Sequence, residues 1–245
     1  MTTTVQTSSE NRTAVLEYNG VSAGYGGVAV CRDLDLTVRA GEVVALIGAN
    51  GAGKSTTMLT AAGELPPISG TVRVLDQPKR MSLAQLAKCG LSYVTEERSV
   101  IMGLTTAENL RLAGVSAADA CAIFPELKAL LRRPAGLLSG GEQQMLTLAR
   151  ALARKPKLLL ADELSLGLAP QIVSRLLAVV REAATTEGVG VLLVEQHVRQ
   201  VLEVADRVYV MRRGRVILEG PAADIAADLD AVQRAYLSSE GTPET

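Results

Sequence analysis

Short apolar runs alternate with longer amphipathic stretches along most of the chain. The runs 43–47, 158–161 and 191–194 are apolar at every position, which predicts central parallel strands that are buried on both faces. The segments 15–18 and 34–38 instead alternate apolar and polar side chains, a pattern typical of half-exposed strands in an antiparallel sheet. Together these patterns predict an α/β fold.

A stretch in the middle of the chain breaks this alternation. Residues from about 97 to 137 are rich in alanine and leucine, have a helical pattern and contain no convincing strand, which predicts an inserted helical subdomain. We expect a single domain over residues 13–238, with loosely held polar tails at 1–12 and 239–245. Two later patterns predict a hairpin formed by 208–211 with 216–218, and an amphipathic helix over 222–237.

The composition excludes several classes of protein. The 245 residues include 25 basic and 26 acidic side chains, a net charge of −1, so no strong field attracts nucleic acid or an anionic membrane. Five tyrosines and one phenylalanine are too few aromatic residues for single-strand binding platforms. Three dispersed cysteines with one histidine form no zinc pattern and predict a reduced, cytoplasmic compartment. Because no apolar run approaches the ~20 residues of a membrane helix and no signal peptide is recognisable, a membrane role requires a partner.

The segment 48–55, Gly-Ala-Asn-Gly-Ala-Gly-Lys-Ser, matches the phosphate-binding pattern G-x-x-x-x-G-K-[ST] at every fixed position. It follows a predicted strand and precedes a predicted helix at 56–62, which is the context that the motif requires. In such a loop backbone N–H groups wrap the phosphates, Lys54 neutralises them and the Ser55 hydroxyl binds Mg²⁺. A chance glycine-rich loop is the weaker alternative. The predicted nucleotide-binding residues are Gly48, Ala49, Asn50, Gly51, Ala52, Gly53, Lys54, Ser55 and Thr56.

Two carboxylates, Asp162 and Glu163, end the predicted strand 158–161. Strand ends reach the surface, so acidic residues at this position are ordinary by themselves. Beside a phosphate-binding loop they gain a second interpretation, because side chains alternate along a strand and the two acids then point in different directions. Asp162 is predicted to bind Mg²⁺, and Glu163 to polarise the attacking water as the catalytic residue.

A third motif, Leu-Ser-Gly-Gly-Glu at 138–142, precedes a predicted helix at 145–152. Ser139 and Glu142 have the spacing of a capping box, so a well-capped helix is one explanation. The serine and two glycines also form a helix N-terminus suited to an anion. The order of the three motifs resembles the ATP-binding cassette (ABC) family over nearly the whole chain, and this motif is that family's own signature. The signature residues are Leu138, Ser139, Gly140, Gly141 and Glu142.

The resemblance implies a RecA-like phosphate-loop core with an antiparallel β-subdomain and an inserted helical subdomain. It also implies that two subunits pair head-to-tail with ATP and Mg²⁺ bound between them, so that Lys54 of one subunit faces Ser139 of the other. Tyr25, in Gly-Tyr-Gly-Gly, matches the family's adenine-stacking aromatic residue, with a turn tyrosine as the alternative. His197 matches the switch histidine that touches the γ-phosphate, with a structural histidine as the alternative.

Three positions depart from the family pattern. Glu96 occupies the position where the family usually has a glutamine that contributes to the metal site. Its carboxylate is suited to Mg²⁺ or its bound water, and the alternative is a solvated acidic loop. Leu164 replaces the usual proline, and Ala169 replaces an aspartate through which the two sites communicate. That communication is therefore expected to depend on Ser165 and backbone groups.

The departures resemble one subfamily, the ATPases of branched-chain amino acid importers. Glu96, the segment 165–170 and Val-Glu-Gln-His at 194–197 carry this resemblance, although the chain is shorter than that subfamily before residue 138. The implied partners are a second ATPase subunit, usually a different chain but alternatively a second copy, membrane permease subunits and, indirectly, an extracytoplasmic solute-binding protein. The implied location is the inner face of the cell membrane. Two alternatives remain: an ABC ATPase uncoupled from transport and a nucleotide-sensing subunit that does not hydrolyse ATP.

Overall fold

The computed structural model describes residues 12–77, 80–97, 99–195 and 198–227. The strands are β1 (Ala14–Tyr25), β2 (Val28–Arg39), β3 (Val43–Gly48), β4 (Pro67–Val74), β5 (Leu91–Val94), β6 (Leu158–Asp162), β7 (Gly190–Val194), β8 (Arg207–Arg212) and β9 (Arg215–Pro221). The helices are α1 (Lys54–Ala61), α2 (Leu83–Cys89), α3 (Thr106–Leu112), α4 (Ala117–Ile123), α5 (Gly140–Leu152), α6 (Pro170–Glu187), α7 (Val198–Val204) and α8 (Ala222–Ala227), with 3₁₀ turns at Pro125–Leu130 and Ala135–Leu137.

A six-stranded sheet with the order β5-β6-β7-β3-β8-β9 forms the centre of the fold. The predicted strands 43–47, 158–161 and 191–194 are confirmed as neighbouring parallel strands that are buried throughout. Their side chains alternate between two apolar clusters, so that Ile47 faces the side of α5 and α6 whereas Leu46 faces the side of α1 and the second sheet. Because the strands are parallel, the loops after β3, β6 and β7 emerge at one edge, where parallel α/β proteins bind ligands.

The second sheet is antiparallel, with the order β2-β1-β4. β1 and β2 contain the predicted strands 15–18 and 34–38, but each is longer than predicted, at 12 residues. β4 is mostly exposed and therefore has no apolar pattern that identifies it in the sequence. The predicted C-terminal hairpin is confirmed as the antiparallel pair β8 and β9.

The segment predicted as helical contains α3, α4 and the two 3₁₀ turns, and none of its described residues lies in a strand. A buried asparagine, Asn109, organises its first turn: the amide accepts from Ile101 N at 2.9 Å and donates to Ile101 O at 3.0 Å. The helical content is thus as predicted, whereas the subdomain boundaries stay a prediction. α8 begins the predicted helix 222–237, whose later residues, like 1–11 and 239–245, lie outside the described residues. Arg12, placed in the predicted tail, donates to Gly41 O at 2.7 Å.

The opposite edge of the central sheet, where β3 begins, is stabilised by a polar network. The buried carboxylate of Glu42 accepts from Arg207 Nε at 2.9 Å. Asp206 accepts from Val43 N at 2.8 Å and from Arg181 at 2.6 Å. These bonds connect β3, β8 and α6 on the side away from the phosphate-binding loop. Of the helices in the described parts of the chain, none has both the length and the apolar composition needed to cross a bilayer.

Candidate functional site

The phosphate-binding loop connects β3 to α1, as its motif predicts. α1 begins at Lys54, two residues before the predicted start, because the loop itself ends in the first turn of the helix. Gly53 has φ 108°, and a Cβ there would lie 2.7 Å from Cys31 Sγ. Both the left-handed backbone and the contact with Cys31 therefore require glycine immediately before the lysine.

Lys54 is buried, and its ammonium group bends back over the loop. Its Nζ donates to Gly48 O at 2.7 Å and to Ala49 O at 3.2 Å. Burial lowers the pKa of Lys54, and the charges of Glu163 and Asp162 act in the opposite direction. The cation therefore lies between the loop backbone and the two carboxylates, where a phosphate group would be its natural partner.

Asp162 and Glu163 occupy different environments. Asp162 is the last residue of β6 and is 6% exposed. Its pKa is raised to about 6, mainly by burial and then by the charges of Glu163 and Glu96, while Lys54 acts in the opposite direction. Glu163 lies beyond the strand, with a left-handed φ of 50°, and is half-buried. This turn, and not the alternation of side chains along β6, therefore sets the direction of the Glu163 side chain. The reason given for expecting the two acids to point in different directions is thus wrong.

An open cleft of about 490 Å³ brings together residues from three separate predicted segments. Besides loop residues, Glu96 from the segment after β5 and Glu163 from the segment after β6 line it, together with Leu166 and with Val30 of β2. Glu96 therefore faces the same space as the phosphate-binding loop and is not only a solvated loop residue. The loop residues that line the cleft are Asn50, Gly51, Gly53, Lys54, Ser55 and Thr56.

The signature motif is away from this cleft. Ser139 caps α5, which begins five residues earlier than the predicted helix: its Oγ accepts from Glu142 N at 3.3 Å, and Glu142 Oε2 accepts from Ser139 N at 2.6 Å. The capping box is therefore confirmed. None of residues 138–142 is among the described residues that line the cleft, so this chain does not bring its own signature to its own phosphate-binding loop.

Besides the signature, several predicted residues are not among the described residues that line the cleft, namely Tyr25, Gly48, Ala49, Ala52 and Asp162. In addition, one buried acid was given no role by the sequence. Tyr25 ends β1 and is 54% exposed, whereas His197 lies outside the described residues. Glu195, the missed residue, is 1% exposed and accepts two hydrogen bonds from Ser165. The sequence offered no clear signal, since an acid directly after an apolar run such as 191–194 is ordinary and its partner is 30 residues away in the sequence.

Replacing Tyr25 with alanine should weaken ATP binding by roughly tenfold or more. Aromatic stacking on a base contributes ~1–3 kcal/mol, and 1.4 kcal/mol corresponds to one decade in Kd. Tyr25→Phe keeps the ring and should bind ATP almost as the wild type does. Isothermal titration calorimetry of both variants tests this, and a phenylalanine variant as weak as the alanine variant would show that stacking is the wrong explanation.

The comparisons with known proteins agree with this site. Residues 31–165 match the sequence profile of the family described as ABC transporter. The chain is 40% identical over 233 residues to BraG of Pseudomonas aeruginosa, a high-affinity branched-chain amino acid transport ATP-binding protein, covering 91% of this chain and 99% of BraG. It is 33% identical over 239 residues to LptB of Escherichia coli K12, a lipopolysaccharide export ATP-binding protein, covering 93% and 98%. A crystal structure of the ADP conformation of an ATP-binding cassette superposes with a TM-score of 0.78, at 26% identity, over 90% of this chain and 98% of that one.

Proposed function

Since the chain belongs to the ABC transporter family, whose cassettes bind and hydrolyse ATP, we propose that it is the ATPase subunit of an importer. The proposed cargo is a small solute, namely a branched-chain amino acid or a related amino acid or amide. The observation that carries the ATPase assignment is the cleft, which combines Lys54, Ser55 and Glu163 at one sheet edge. The match to BraG over nearly the full length of both chains supports the importer assignment.

The cleft suits a magnesium nucleotide. The loop 48–56 is proposed to hold the phosphates, and Ser55, Asp162 and Glu96 to hold the metal. Hydroxyl and carboxylate oxygens are the ligands that Mg²⁺ prefers. Burial, and after it the charges of Glu163 and Glu96, raises the pKa of Asp162, and a divalent cation bound here would offset the negative charge of these carboxylates. When bound, Mg²⁺ neutralises charge on the β- and γ-phosphates.

Hydrolysis then requires a proton acceptor for water. We propose that Glu163, which faces the cleft from the segment after β6, accepts that proton as water attacks the γ-phosphate of ATP, releasing ADP and phosphate. Lys54 neutralises the phosphates in the same space. His197 is proposed to contact the γ-phosphate, and Tyr25 to stack on the adenine.

A second ATPase subunit completes the proposed site. The signature residues 138–142 lie outside the cleft, so the signature that faces the γ-phosphate must come from another cassette. The partner is proposed to be a different ATPase subunit, with a second copy of this chain as the alternative. The N-terminus of α5, with Ser139 at its cap, would face the nucleotide held by the partner.

Permease subunits are the proposed membrane partners, and they would hold the chain at the inner face of the cell membrane. A groove of about 220 Å³ between α2, β5 and α5 is a candidate contact surface. Arg150 and Arg154 line it, and Arg150 Nε is buried with no hydrogen-bond partner among the described residues. A cytoplasmic permease segment with an acidic side chain fits this groove. The helical segment 97–137 is proposed to border it, and an extracytoplasmic solute-binding protein would meet only the permease.

Deleting the gene should abolish high-affinity uptake of radiolabelled leucine by intact cells. A plasmid copy of the wild-type gene should restore uptake, whereas the Lys54→Ala copy, expressed at the same level, should not, because uptake requires ATP hydrolysis by this chain. Isoleucine, valine and an amide are the competitors that identify the solute.

Export is the second candidate, because the chain also matches LptB over nearly its full length. Normal leucine uptake in the deletion strain, together with lipopolysaccharide retained at the inner membrane, would replace the importer proposal with this one. A deletion strain that shows neither the uptake defect nor the lipopolysaccharide defect would refute both proposals.

A further inference from the structure

Glu195 connects two loops at the functional edge of the sheet. It comes directly after β7 and is 1% exposed. Its Oε1 accepts from Ser165 N at 3.0 Å, and its Oε2 accepts a short hydrogen bond from Ser165 Oγ. Ser165 is itself 2% exposed and lies two residues after Glu163. A single buried side chain therefore fixes both the backbone and the hydroxyl of the loop that carries the proposed catalytic residue.

Placing a carboxylate here is costly, so its position needs an explanation. A buried carboxylate loses its hydration, and only hydrogen bonds or an opposite charge offset that loss. A neutral side chain would avoid that cost. What Glu195 does provide is a two-point attachment to Ser165.

The backbone conformation of Glu163 explains what the attachment of Ser165 to Glu195 does. Glu163 has φ 50°, a left-handed conformation that is strained for a non-glycine residue and persists only where the surrounding structure holds it. On one side, Glu163 N donates to Val194 O at 2.9 Å. On the other, Leu164 is buried and Ser165 is attached to Glu195. Residues 163 and 165, on either side of Leu164, are thus bonded to the consecutive residues 194 and 195.

We propose that Glu195 is a positioning residue for ATP hydrolysis, which keeps Glu163 in its strained conformation by holding Ser165. This inference rests on the proposed role of Glu163. Glu195 and Ser165 are 1% and 2% exposed, and neither is among the described residues that line the cleft, so we expect neither to contact the nucleotide directly. Loss of the attachment should therefore slow the chemical step and leave nucleotide binding unchanged.

Glu195→Ala should lower kcat about 10- to 100-fold, the scale expected when a catalytic group is displaced by roughly 1 Å. The KM for ATP should stay near the wild-type value. Glu195→Gln should keep most of kcat, because its amide oxygen accepts from Ser165 N and its amide nitrogen donates to Ser165 Oγ. Ser165→Ala loses one bond and should fall between the two. The double variant with alanine at positions 165 and 195 should be no slower than Glu195→Ala, because both substitutions remove the same attachment between Ser165 and Glu195.

The measurement is steady-state ATPase activity of the full chain, purified with the subunits that bind it, alongside thermal unfolding. Glu42→Gln is the matched control, since it neutralises a buried hydrogen-bonded carboxylate at the opposite sheet edge. It should lower Tm without lowering kcat. If Glu195→Ala does not fold, Ser165→Ala decides, and an unchanged kcat in that variant overturns the proposal.

Two further results would overturn the inference. Glu195→Gln as slow as Glu195→Ala would show that the charge acts and not the attachment. A fall in kcat that matches the loss of folded protein, counted by ATP-binding stoichiometry, would show a structural role only. Glu163→Gln separates this inference from the proposed function: if that variant still hydrolyses ATP, the role of Glu163 is wrong. If it is inactive while the Glu195 and Ser165 variants are normal, only the positioning inference fails.

Discussion

Replacing Lys54 with alanine should remove essentially all ATP turnover and most of the affinity for ATP. The ammonium group is buried within the loop, 2.7 Å from Gly48 O, and Lys54 is the one basic residue among the described residues that line the cleft. Hydrogen bonds to charged groups contribute about 1.5–3 kcal/mol each, so we expect at least a tenfold rise in Kd. The fold should survive, because burial already lowers the pKa of Lys54 and the alanine avoids that desolvation.

Calorimetry with Mg-ATP measures the affinity, and circular dichroism with thermal unfolding checks that the variant is folded. Lys128→Ala is the control, because it removes an exposed lysine from the 3₁₀ turn Pro125–Leu130. It should change neither the affinity for ATP nor the thermal unfolding. A folded Lys54→Ala protein with wild-type affinity would exclude the lysine from the site.

Replacing Glu163 with glutamine should lower the hydrolysis rate by about 100-fold or more while ATP still binds. The substitution keeps the shape of a side chain that lines the cleft and removes its basicity, and a base is required only as the proton moves. The phosphate-binding loop and the metal ligands are unchanged. An ATP-bound pair of cassettes would then have no route to reopen, so the variant should accumulate as an ATP-dependent dimer.

Size-exclusion chromatography with and without Mg-ATP, with the partner ATPase present, tests this. Asp162→Asn is the informative contrast, because loss of a metal ligand should weaken Mg-ATP binding as well as hydrolysis. Glu187→Gln, at the exposed end of α6, controls for loss of a negative charge. If Glu163→Gln hydrolyses ATP at the wild-type rate, another residue must be the catalytic base, and His197 is the next candidate.

The parts of the fold that the sequence predicts are those set by local patterns. Solid apolar runs identify the three central strands, glycine spacing identifies the phosphate-binding loop, and Ser139 with Glu142 identifies a helix cap. Helix starts are less accurate, since α5 begins at Gly140 through its cap, before apolar periodicity becomes visible. β4 has no such pattern, because it is largely exposed and its pairing with β1 depends on tertiary structure.

The candidate site shows the same division. Lys54 and Ser55 follow from a contiguous motif, Glu163 follows from its position at the end of a strand, and Glu96 follows from the resemblance to the family. The sequence does not predict the left-handed turn at Glu163 or the attachment of Ser165 to Glu195, because both arise where two loops meet only in the folded chain. Their strength depends on burial, which sequence spacing does not give.

The two edges of the central sheet have a genetic consequence. Substitutions in the network of Glu42, Arg207 and Asp206 reduce the amount of folded chain, because buried polar partners lose their bonds. The unfolded copies are degraded and leave their places in the transporter to normal subunits. Substitution of Glu163 should instead leave a folded copy that still binds ATP and pairs, and that occupies such a place without working. In a cell that carries both alleles, damage at the first edge should therefore be recessive, and damage at the second should be dominant.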